Sequence, residues 1–204
     1  MSKGRVEAFS DGVFAVAITL LIFNIQIEKS APGGLLHALL NAWPKYAAYV
    51  ASFLTIGVML MNHHGMFLRL ARIDRPLILL NLLLLMVIVF IPFSTAQLGS
   101  NILVAEDAKT AATLYAINAL LMALGFGAVW SYALMHPHLL APEIDRQAAL
   151  RAWPRFSIGT LAYLACIPLA QFSPIGVIIV CALMAVYYSF ETLPDIMRHP
   201  AGVR

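Results

Sequence analysis

Six long apolar stretches are the feature that most limits what this chain of 204 residues can fold into. A helix rises about 1.5 Å per residue and the hydrocarbon layer of a bilayer is about 30 Å thick, so about 20 apolar residues span it. The stretches are continuous rather than alternating, which argues against a transmembrane β-barrel. We therefore predict membrane-spanning helices at 6–28, 45–64, 76–98, 110–135, 155–172 and 174–193.

The amino-acid composition supports the same class of protein. Hydrophobic residues make up 61% of the chain and charged residues only 11%, against roughly a quarter charged in soluble domains. A soluble domain of this length cannot bury so much apolar surface in one core. The net charge of +3 and the scattered basic residues do not indicate a nucleic-acid partner. Since no long linker or internal repeat divides the sequence, residues 1–204 are predicted to form one six-helix transmembrane domain.

The distribution of basic residues predicts the orientation in the bilayer. With the N-terminus inside, the inner segments hold ten of the thirteen Lys and Arg residues, as expected for short cytoplasmic loops. An even number of spans then places both termini in the cytoplasm. Glu7 and Asp11 interrupt the basic start, which favours a retained first helix over a cleaved signal peptide. We expect a multi-pass protein of the cell membrane, in a prokaryote the inner membrane.

Prolines mark several helix boundaries. Pro44, Pro76 and Pro154 lie where the second, third and fifth helices are predicted to begin, a position where the missing N–H costs nothing. Pro92 and Pro168 fall inside predicted spans and are expected to kink them, which membrane helices tolerate when neighbours satisfy the freed carbonyls.

Polar residues at membrane depth carry the functional information, and several converge near the inner end of the bundle. Asp11 lies at the start of the first span, His63 and His64 end the second, and Asn81 lies one turn into the third. We expect Asp11, one of the two histidines and Asn81 to meet in a buried polar cluster. The alternative is that Ser10 caps a helix, that Asp11 complements its positive end, and that the histidines are only structural.

The first of these polar segments resembles a known family. Arg5-x-x-x-Phe9-Ser10-Asp11, followed by Gly-Val-Phe-Ala-Val-Ala-Ile-Thr-Leu-Leu, is similar to the first-helix motif of the lysosomal-type potassium channel family, especially its short prokaryotic members. The resemblance covers the first three helices by motif and the last three by hydrophobic pattern. It continues through Asn62-His63-His64 with Phe67, Asn81-Leu82-Leu83, and Phe90-Ile91-Pro92-Phe93.

The resemblance implies a function as well as a fold. It implies six helices in one repeat, and a homotetramer around a central axis that the first helix lines. It further implies passive conduction of cations with K⁺ favoured, no cofactor, no structural metal and no enzymatic activity. The family lacks the Thr-Val-Gly-Tyr-Gly carbonyl filter, and no such run occurs in this sequence. A ring of apolar side chains with a threonine ring nearby forms the narrowest point of the family's pore.

One face of the first helix carries the residues that would line such a pore. At about 100° per residue, Val16, Thr19, Leu20, Phe23 and Ile27 lie on this face. The resemblance places the family's isoleucine constriction at Val16, its threonine at Thr19, and further apolar layers at Leu20 and Phe23. Val16 is smaller than the usual isoleucine. The same stripe is also what any packed helix shows, so periodicity alone does not establish a pore.

The residues of the motif are predicted to have structural rather than conducting roles. Asp11 points away from the apolar stripe, toward the rest of the subunit, while Val16 and Leu20 are expected to gate by excluding water. The predicted scaffold consists of Arg5, Phe9, Ser10, Asp11, His63, His64 and Asn81.

The outer mouth of the predicted pore departs from the family pattern. Asn24 and Gln26 stand where the family usually has an apolar residue and an acid nearby. Glu28 is expected to attract cations there, although Lys29 beside it opposes this effect.

Two other classes of function stay open at this point. A secondary transporter would also place polar groups and broken helices at membrane depth, and Pro92 and Pro168 are candidate breaks, but the two halves show no inverted repeat. His136 and His138 precede two acidic residues, a pattern that in an enzyme indicates a metal site. The nearby Pro137 and Pro142 instead favour a cytoplasmic loop without a metal. Cys166 and Cys181 are expected to pack as small hydrophobic residues.

Overall fold

The computed structural model describes residues 2–27 and 33–190, and this part of the chain is almost entirely helical. The described residues form seven α-helices and two short 3₁₀ turns. These are α1 (Lys3–Leu20), a 3₁₀ turn (Leu21–Asn24), α2 (Gly34–Asn41), α3 (Trp43–Leu68), α4 (Arg75–Asn101), α5 (Ala105–Met135), a 3₁₀ turn (Pro137–Leu139), α6 (Arg146–Phe172) and α7 (Pro174–Phe190).

The predicted all-helical membrane fold is confirmed. Four segments are long and apolar enough to cross a bilayer: Lys3–Asn24, Trp43–Leu68, Arg75–Asn101 and Ala105–Met135. Two shorter apolar helical segments follow at Ser157–Phe172 and Pro174–Phe190. We call the end of the bundle that carries Lys3 the inner end, and the end that carries Asn24 and α2 the outer end.

Two proline predictions agree with the structure and one was wrong. Pro44 and Pro76 lie in the first turns of α3 and α4. Pro154, in contrast, lies well inside α6, which begins at Arg146. The helix starts earlier because the Asp145 side chain accepts a hydrogen bond from the backbone N–H of Gln147 at 2.9 Å and so caps the first turn.

The first span also differs from its prediction. A continuous helix was expected over 6–28, but the α-helix ends at Leu20, tightens into the 3₁₀ turn, and residues 25–27 are not helical. Glu28 and Lys29, expected at the outer mouth, lie outside the described residues. The short helix α2 was not predicted. It is entered through Gly33 and Gly34, whose φ angles of 90° and 78° glycine adopts without strain.

Helix packing buries α1 on one side only. α4 packs against both α3 and α5, α6 against α5 and α7, and α1 lies on α3 and α4. Both cysteines are free and buried, as predicted. The α4 helix continues through Pro92, and α6 continues through Pro168.

Hydrogen bonds across two loops fix the inner end of the bundle. The α3–α4 loop pairs with the α5–α6 loop through Ala71 N–H to the Leu139 carbonyl, 2.8 Å. Asp74 caps α4 and accepts hydrogen bonds from Leu77 N–H, 2.9 Å, and from the Tyr132 hydroxyl, 2.8 Å. Partial burial raises the pKa of Asp74, but these two hydrogen bonds and the nearby histidines of the α5–α6 loop outweigh it, so this pKa lies below its usual value.

Candidate functional site

The helix α1 has one buried face and one face that its own subunit leaves uncovered. Val16 and Leu20 of α1, and Phe23 of the 3₁₀ turn that continues it, are 55%, 40% and 70% exposed, although all three are large apolar residues. They project from the side of α1 opposite to α3 and α4. The buried face of this segment, fully inaccessible to solvent, consists of Phe14, Ala17 and Leu21.

Thr19 lies on the uncovered face, among the apolar residues. Its hydroxyl donates a hydrogen bond to the Val16 carbonyl at 2.9 Å, within the helix. The hydroxyl proton is therefore engaged, and the oxygen still has lone pairs with which to accept. Ile27, the last residue of the predicted stripe, lies beyond the 3₁₀ turn and is half-buried, so helical spacing no longer sets its direction.

A buried polar cluster holds the inner half of α1 against α3 and α4. We call Ser10, His63 and Asn81 the inner polar cluster; each is at most 1% exposed. The Asn81 amide donates to the Ser10 hydroxyl oxygen at 2.9 Å, and the Asn81 carbonyl oxygen lies 2.8 Å from Nε2 of His63. Through these two hydrogen bonds, the side chains of Ser10, Asn81 and His63 link α1, α4 and α3.

The directions of these bonds assign the tautomer of His63. Since the Asn81 amide nitrogen donates to Ser10, its oxygen faces the histidine, and Nε2 of His63 must carry the proton. Ser10 in turn donates to the Val6 carbonyl at 2.9 Å. The ring of His63 stacks on Phe67 with centroids 4.4 Å apart, and the Phe14 ring lies 5.3 Å away. Each side chain therefore donates to the next acceptor: His63 to Asn81, Asn81 to Ser10, and Ser10 to the backbone. Aromatic rings lie around His63.

Of the expected cluster of Asp11, a histidine and Asn81, the structure joins His63 and Asn81 by a hydrogen bond, whereas Asp11 interacts with His63 only through its charge. Oδ1 of Asp11 is buried and has no hydrogen-bond partner among the described residues. Ser10, its neighbour in the motif, makes the contact instead. His64 points outward and its Nδ1 lies 3.1 Å from a carboxylate oxygen of Glu7. The two adjacent histidines thus have different environments because successive residues on a helix point about 100° apart.

The remaining motif residues lie on the surface of the subunit. Arg5 and Phe9 are both exposed, the latter by 52%. The link between the start of α1 and the rest of the inner end comes from Lys3, whose Nζ donates to the Leu70 carbonyl at 2.6 Å. Arg5, with Ser10 and Asp11, is the residue that the sequence predicts to hold the first helix in position.

Two further contacts, not predicted from the sequence, hold the outer end of the first span. The Asn24 amide donates to the Pro92 carbonyl at 2.7 Å, and Nζ of Lys45 donates to the Gln26 carbonyl at 2.5 Å. An asparagine at the end of an apolar run was the only signal in the sequence. Its partner is a backbone carbonyl, which no sequence pattern reveals.

No side-chain arrangement in the described residues resembles a metal centre. Within 2–27 and 33–190, no three or more His, Cys, Asp and Glu side chains are grouped so that they could hold a metal ion. Nδ1 of His136 lies 2.9 Å from the Tyr132 carbonyl, and its ring stacks on that tyrosine.

Comparisons with known proteins show which family this chain is similar to. The family model "Endosomal/lysosomal potassium channel TMEM175" matches residues 5–92. A potassium channel of Streptomyces collinus is 46% identical over 201 residues, which cover 98% of each chain. The endosomal/lysosomal proton channel TMEM175 of Gallus gallus is 32% identical over 197 residues, covering 85% of this chain and 38% of the longer relative.

A solved structure extends the likeness to three dimensions. The crystal structure of a lysosomal potassium-selective channel TMEM175 homologue from Chamaesiphon minutus superposes with a TM-score of 0.79 at 35% identity, covering 92% of this chain and 96% of that one. Spanning helices and this match define a helical membrane channel rather than an enzyme. The chain belongs to the endosomal/lysosomal potassium channel TMEM175 family.

Proposed function

We propose that this protein is a potassium-favouring cation channel whose pore is lined by α1 from four identical subunits. The observation that carries the proposal is the uncovered face of α1, where Val16, Leu20 and Phe23 are exposed around Thr19. Hydrogen bonds hold this helix at both ends, so the face is presented in a fixed orientation. Four such faces around an axis form a narrow passage with apolar walls.

The side chains on this face suggest how the passage opens and closes. Rings of Val16 and Leu20 exclude water when they are close together, and an ion then loses its hydration without replacement, which closes the pore. The four Thr19 oxygens offer acceptor groups to a passing cation. Because valine is shorter than isoleucine, the closed constriction is wider than in relatives with isoleucine at this position. Conduction is passive and follows the electrochemical gradient.

The proposed architecture has six spans, formed by α1 and α3–α7, with both termini in the cytoplasm of a bacterial cell. The spans form one transmembrane domain per subunit, and the subunits form a homotetramer in the cell membrane. The likeness to a solved channel over 92% of the chain supports six spans, and the concentration of Lys and Arg toward the inner end supports the orientation. We propose that Ser10, His63 and Asn81 hold α1 in place, with Arg5, Phe9, Asp11 and His64 of the motif around them.

Potassium is the proposed permeant ion, although the named relatives differ. The Streptomyces collinus relative, named a potassium channel, matches almost the whole of both chains, whereas the Gallus gallus relative, named a proton channel, is much longer. The continuity of α4 through Pro92 favours a channel over a secondary transporter, since transporter sites are typically built on interrupted helices.

The test is ion flux through purified protein in liposomes. Under a potassium gradient, a voltage-sensitive dye is expected to report a diffusion potential that approaches the potassium equilibrium value and weakens when sodium replaces potassium. Val16→Asn is expected to increase the flux, because four amides hydrate the constriction. The matched control is Val186→Asn, the same substitution at a similarly exposed position on α7, 47% against 55%.

Each outcome separates the candidate functions. Increased flux in Val16→Asn but not in Val186→Asn supports a pore along α1. Equal effects of the two variants would place the conduction path elsewhere. Flux that saturates at low turnover, or that requires a second ion, would indicate a transporter. A pH gradient that collapses faster than the potassium gradient would make protons the favoured ion.

A further inference from the structure

A cavity of about 370 Å³ opens at the outer end of the bundle. It lies between the end of the first span, α2, the start of α3 and the end of α4. This volume is within the usual range for small-molecule sites, roughly 300–1,000 Å³. Its polar lining residues are Gln26, His37, Asn41, Lys45 and Ser100.

The lining of this outer cavity is rich in hydrogen-bond donors and carries positive charge. Lys45 supplies an ammonium group, and His37, Asn41 and Ser100 supply an imidazole, an amide and a hydroxyl. The described lining includes no Asp or Glu. One of the three ammonium N–H groups of Lys45 donates to the Gln26 carbonyl, so the tip of the side chain is held at the wall with two donors left.

Close backbone packing fixes the two basic residues. A Cβ atom at Gly99 would lie 3.0 Å from Cα of Lys45, so only glycine lets α3 and α4 approach this closely. A Cβ atom at Gly33 would lie 3.1 Å from the ring of His37, so this ring packs directly on the turn that precedes α2. The donors are therefore positioned before any ligand arrives, which lowers the entropic cost of binding.

The helix α2 beside the cavity presents apolar side chains that the subunit does not cover. Leu35, Leu36 and Leu40 are 66–72% exposed, and Trp43 follows at the start of α3 with 47% exposed. A short amphipathic helix at the end of spanning helices, next to a tryptophan, is typical of the boundary between headgroups and acyl chains. At that depth the abundant ligands are phospholipids.

We propose that the outer cavity binds the phosphate of an anionic phospholipid headgroup while the leucines of α2 contact its acyl chains. Phosphate oxygens accept charge-assisted hydrogen bonds, which matches the donors of Lys45 and its neighbours. A choline headgroup brings its own cation next to Lys45, so zwitterionic lipids are expected to bind more weakly. The proposal does not depend on ion conduction, because the site and its test concern binding alone.

The experiment is native mass spectrometry of the purified oligomer with phosphatidylglycerol or phosphatidylcholine added. We expect the wild type to retain phosphatidylglycerol in preference to phosphatidylcholine. The double variant His37→Gln/Lys45→Met is expected to weaken phosphatidylglycerol binding by about tenfold or more, since it removes two donors of charge-assisted hydrogen bonds to the phosphate. Lys45→Arg keeps the charge and is expected to keep the preference. Lys109→Met, at another exposed basic residue of the outer end, is the matched control.

The outcomes decide the proposal in both directions. Equal retention of the two lipids, or equal losses in the Lys45 and Lys109 variants, would overturn it. Displacement of the lipid by millimolar inorganic phosphate would show a site for free phosphate instead.

A second variant tests the contact between α2 and the acyl chains. Leu36→Ser/Leu40→Ser is expected to weaken lipid retention with the oligomer intact. If the oligomer dissociates and lipid retention per subunit is unchanged, α2 covers a second copy of the chain, and the proposed contact between its leucines and the acyl chains is refuted. If Lys45→Arg retains phosphatidylglycerol, a substitution at this position does not by itself misfold the protein, and lost binding in the double variant reports the lost donors.

Discussion

Removing Asn81 tests whether the inner polar cluster holds α1 on the bundle. Asn81→Leu keeps a side chain of similar volume in α4 but removes both the acceptor of the His63 N–H and the donor to Ser10. Because the new side chain fills the same space, the measured loss of stability reports the polar contacts rather than a cavity.

The magnitude follows from what each partner loses. The N–H of His63 is left buried without an acceptor, which costs about 1–3 kcal/mol, and the lost bond to Ser10 adds about 0.5–1 kcal/mol. Hydrogen bonds between membrane helices average only about 0.6 kcal/mol, because the unfolded chain in the membrane also finds partners. Burial at 0–1% and the rings around His63 leave no room for a replacement partner. We therefore expect a loss of about 2–3 kcal/mol in the free energy of unfolding.

The assay is reversible unfolding in mixed micelles, followed by circular dichroism as the denaturing detergent increases. The matched control is Asn101→Leu, the same substitution in the same helix, where the amide bonds only to Gln97 of its own helix. This control is expected to lose less than about 0.5 kcal/mol, as is usual for surface substitutions.

A double-mutant cycle with His63→Phe supplies the decisive comparison. Phenylalanine keeps the stacking on Phe67 and removes the orphaned donor, so the two substitutions together are expected to cost about 1–2 kcal/mol less than the sum of the single effects. Strictly additive losses would refute the reasoning, because they would mean that His63 and Asn81 do not depend on each other.

Three further predictions concern the ends and the face of the first span. Asp74→Ala is expected to lower the free energy of unfolding by about 1 kcal/mol at neutral pH, as for the loss of a helix cap. Because the folded pKa of Asp74 is lowered, this difference between wild type and variant is present above the unfolded pKa of about 3.9 and disappears as the pH falls through the folded pKa. A pH series of thermal unfolding measures it. A difference that does not shrink as the pH falls below the unfolded value would contradict this origin. Asn24→Leu is expected to accelerate backbone hydrogen exchange over residues 21–27, because the bond to Pro92 is lost; unchanged exchange would show that Leu21 packing alone holds the turn. Thr19→Val is expected to reduce the preference for potassium over sodium in reversal-potential measurements, and an unchanged preference would exclude the Thr19 hydroxyls as its source.

Hydropathy located the long helices because burial in lipid requires consecutive apolar residues, which can be recognised in the sequence without knowing the tertiary structure. For two of them the predicted helix was too short: 110–135 is observed as Ala105–Met135, and 155–172 as Arg146–Phe172. Backbone hydrogen bonding continues past the hydrocarbon layer into polar residues, which hydropathy does not register. The helix α2 was missed because eight residues are too few to span a bilayer.

The candidate site was predictable as a set of residues but not as a set of contacts. Ser10, His63 and Asn81 could be predicted to have a role because they are polar residues inside apolar segments. Such residues are energetically costly in a membrane and are usually functional or structural. The sequence did not show that Ser10 rather than Asp11 bonds to Asn81, or that His63 rather than His64 faces inward. Adjacent residues differ by one step around a helix, so the rotation of each helix against its neighbours decides which one is buried.

The sequence by itself determined that this chain crosses a membrane as helices and belongs with a family of channels, because hydrophobic length and a first-helix motif are properties of consecutive residues. Only the tertiary structure decided which face of α1 stays uncovered, where the 3₁₀ turn ends the helix, and how Asn24 and Lys45 hold it. Those features depend on hydrogen bonds to backbone carbonyls and on the packing of segments that are distant in sequence. The identities of the residues involved reveal neither the carbonyl partner nor the packing.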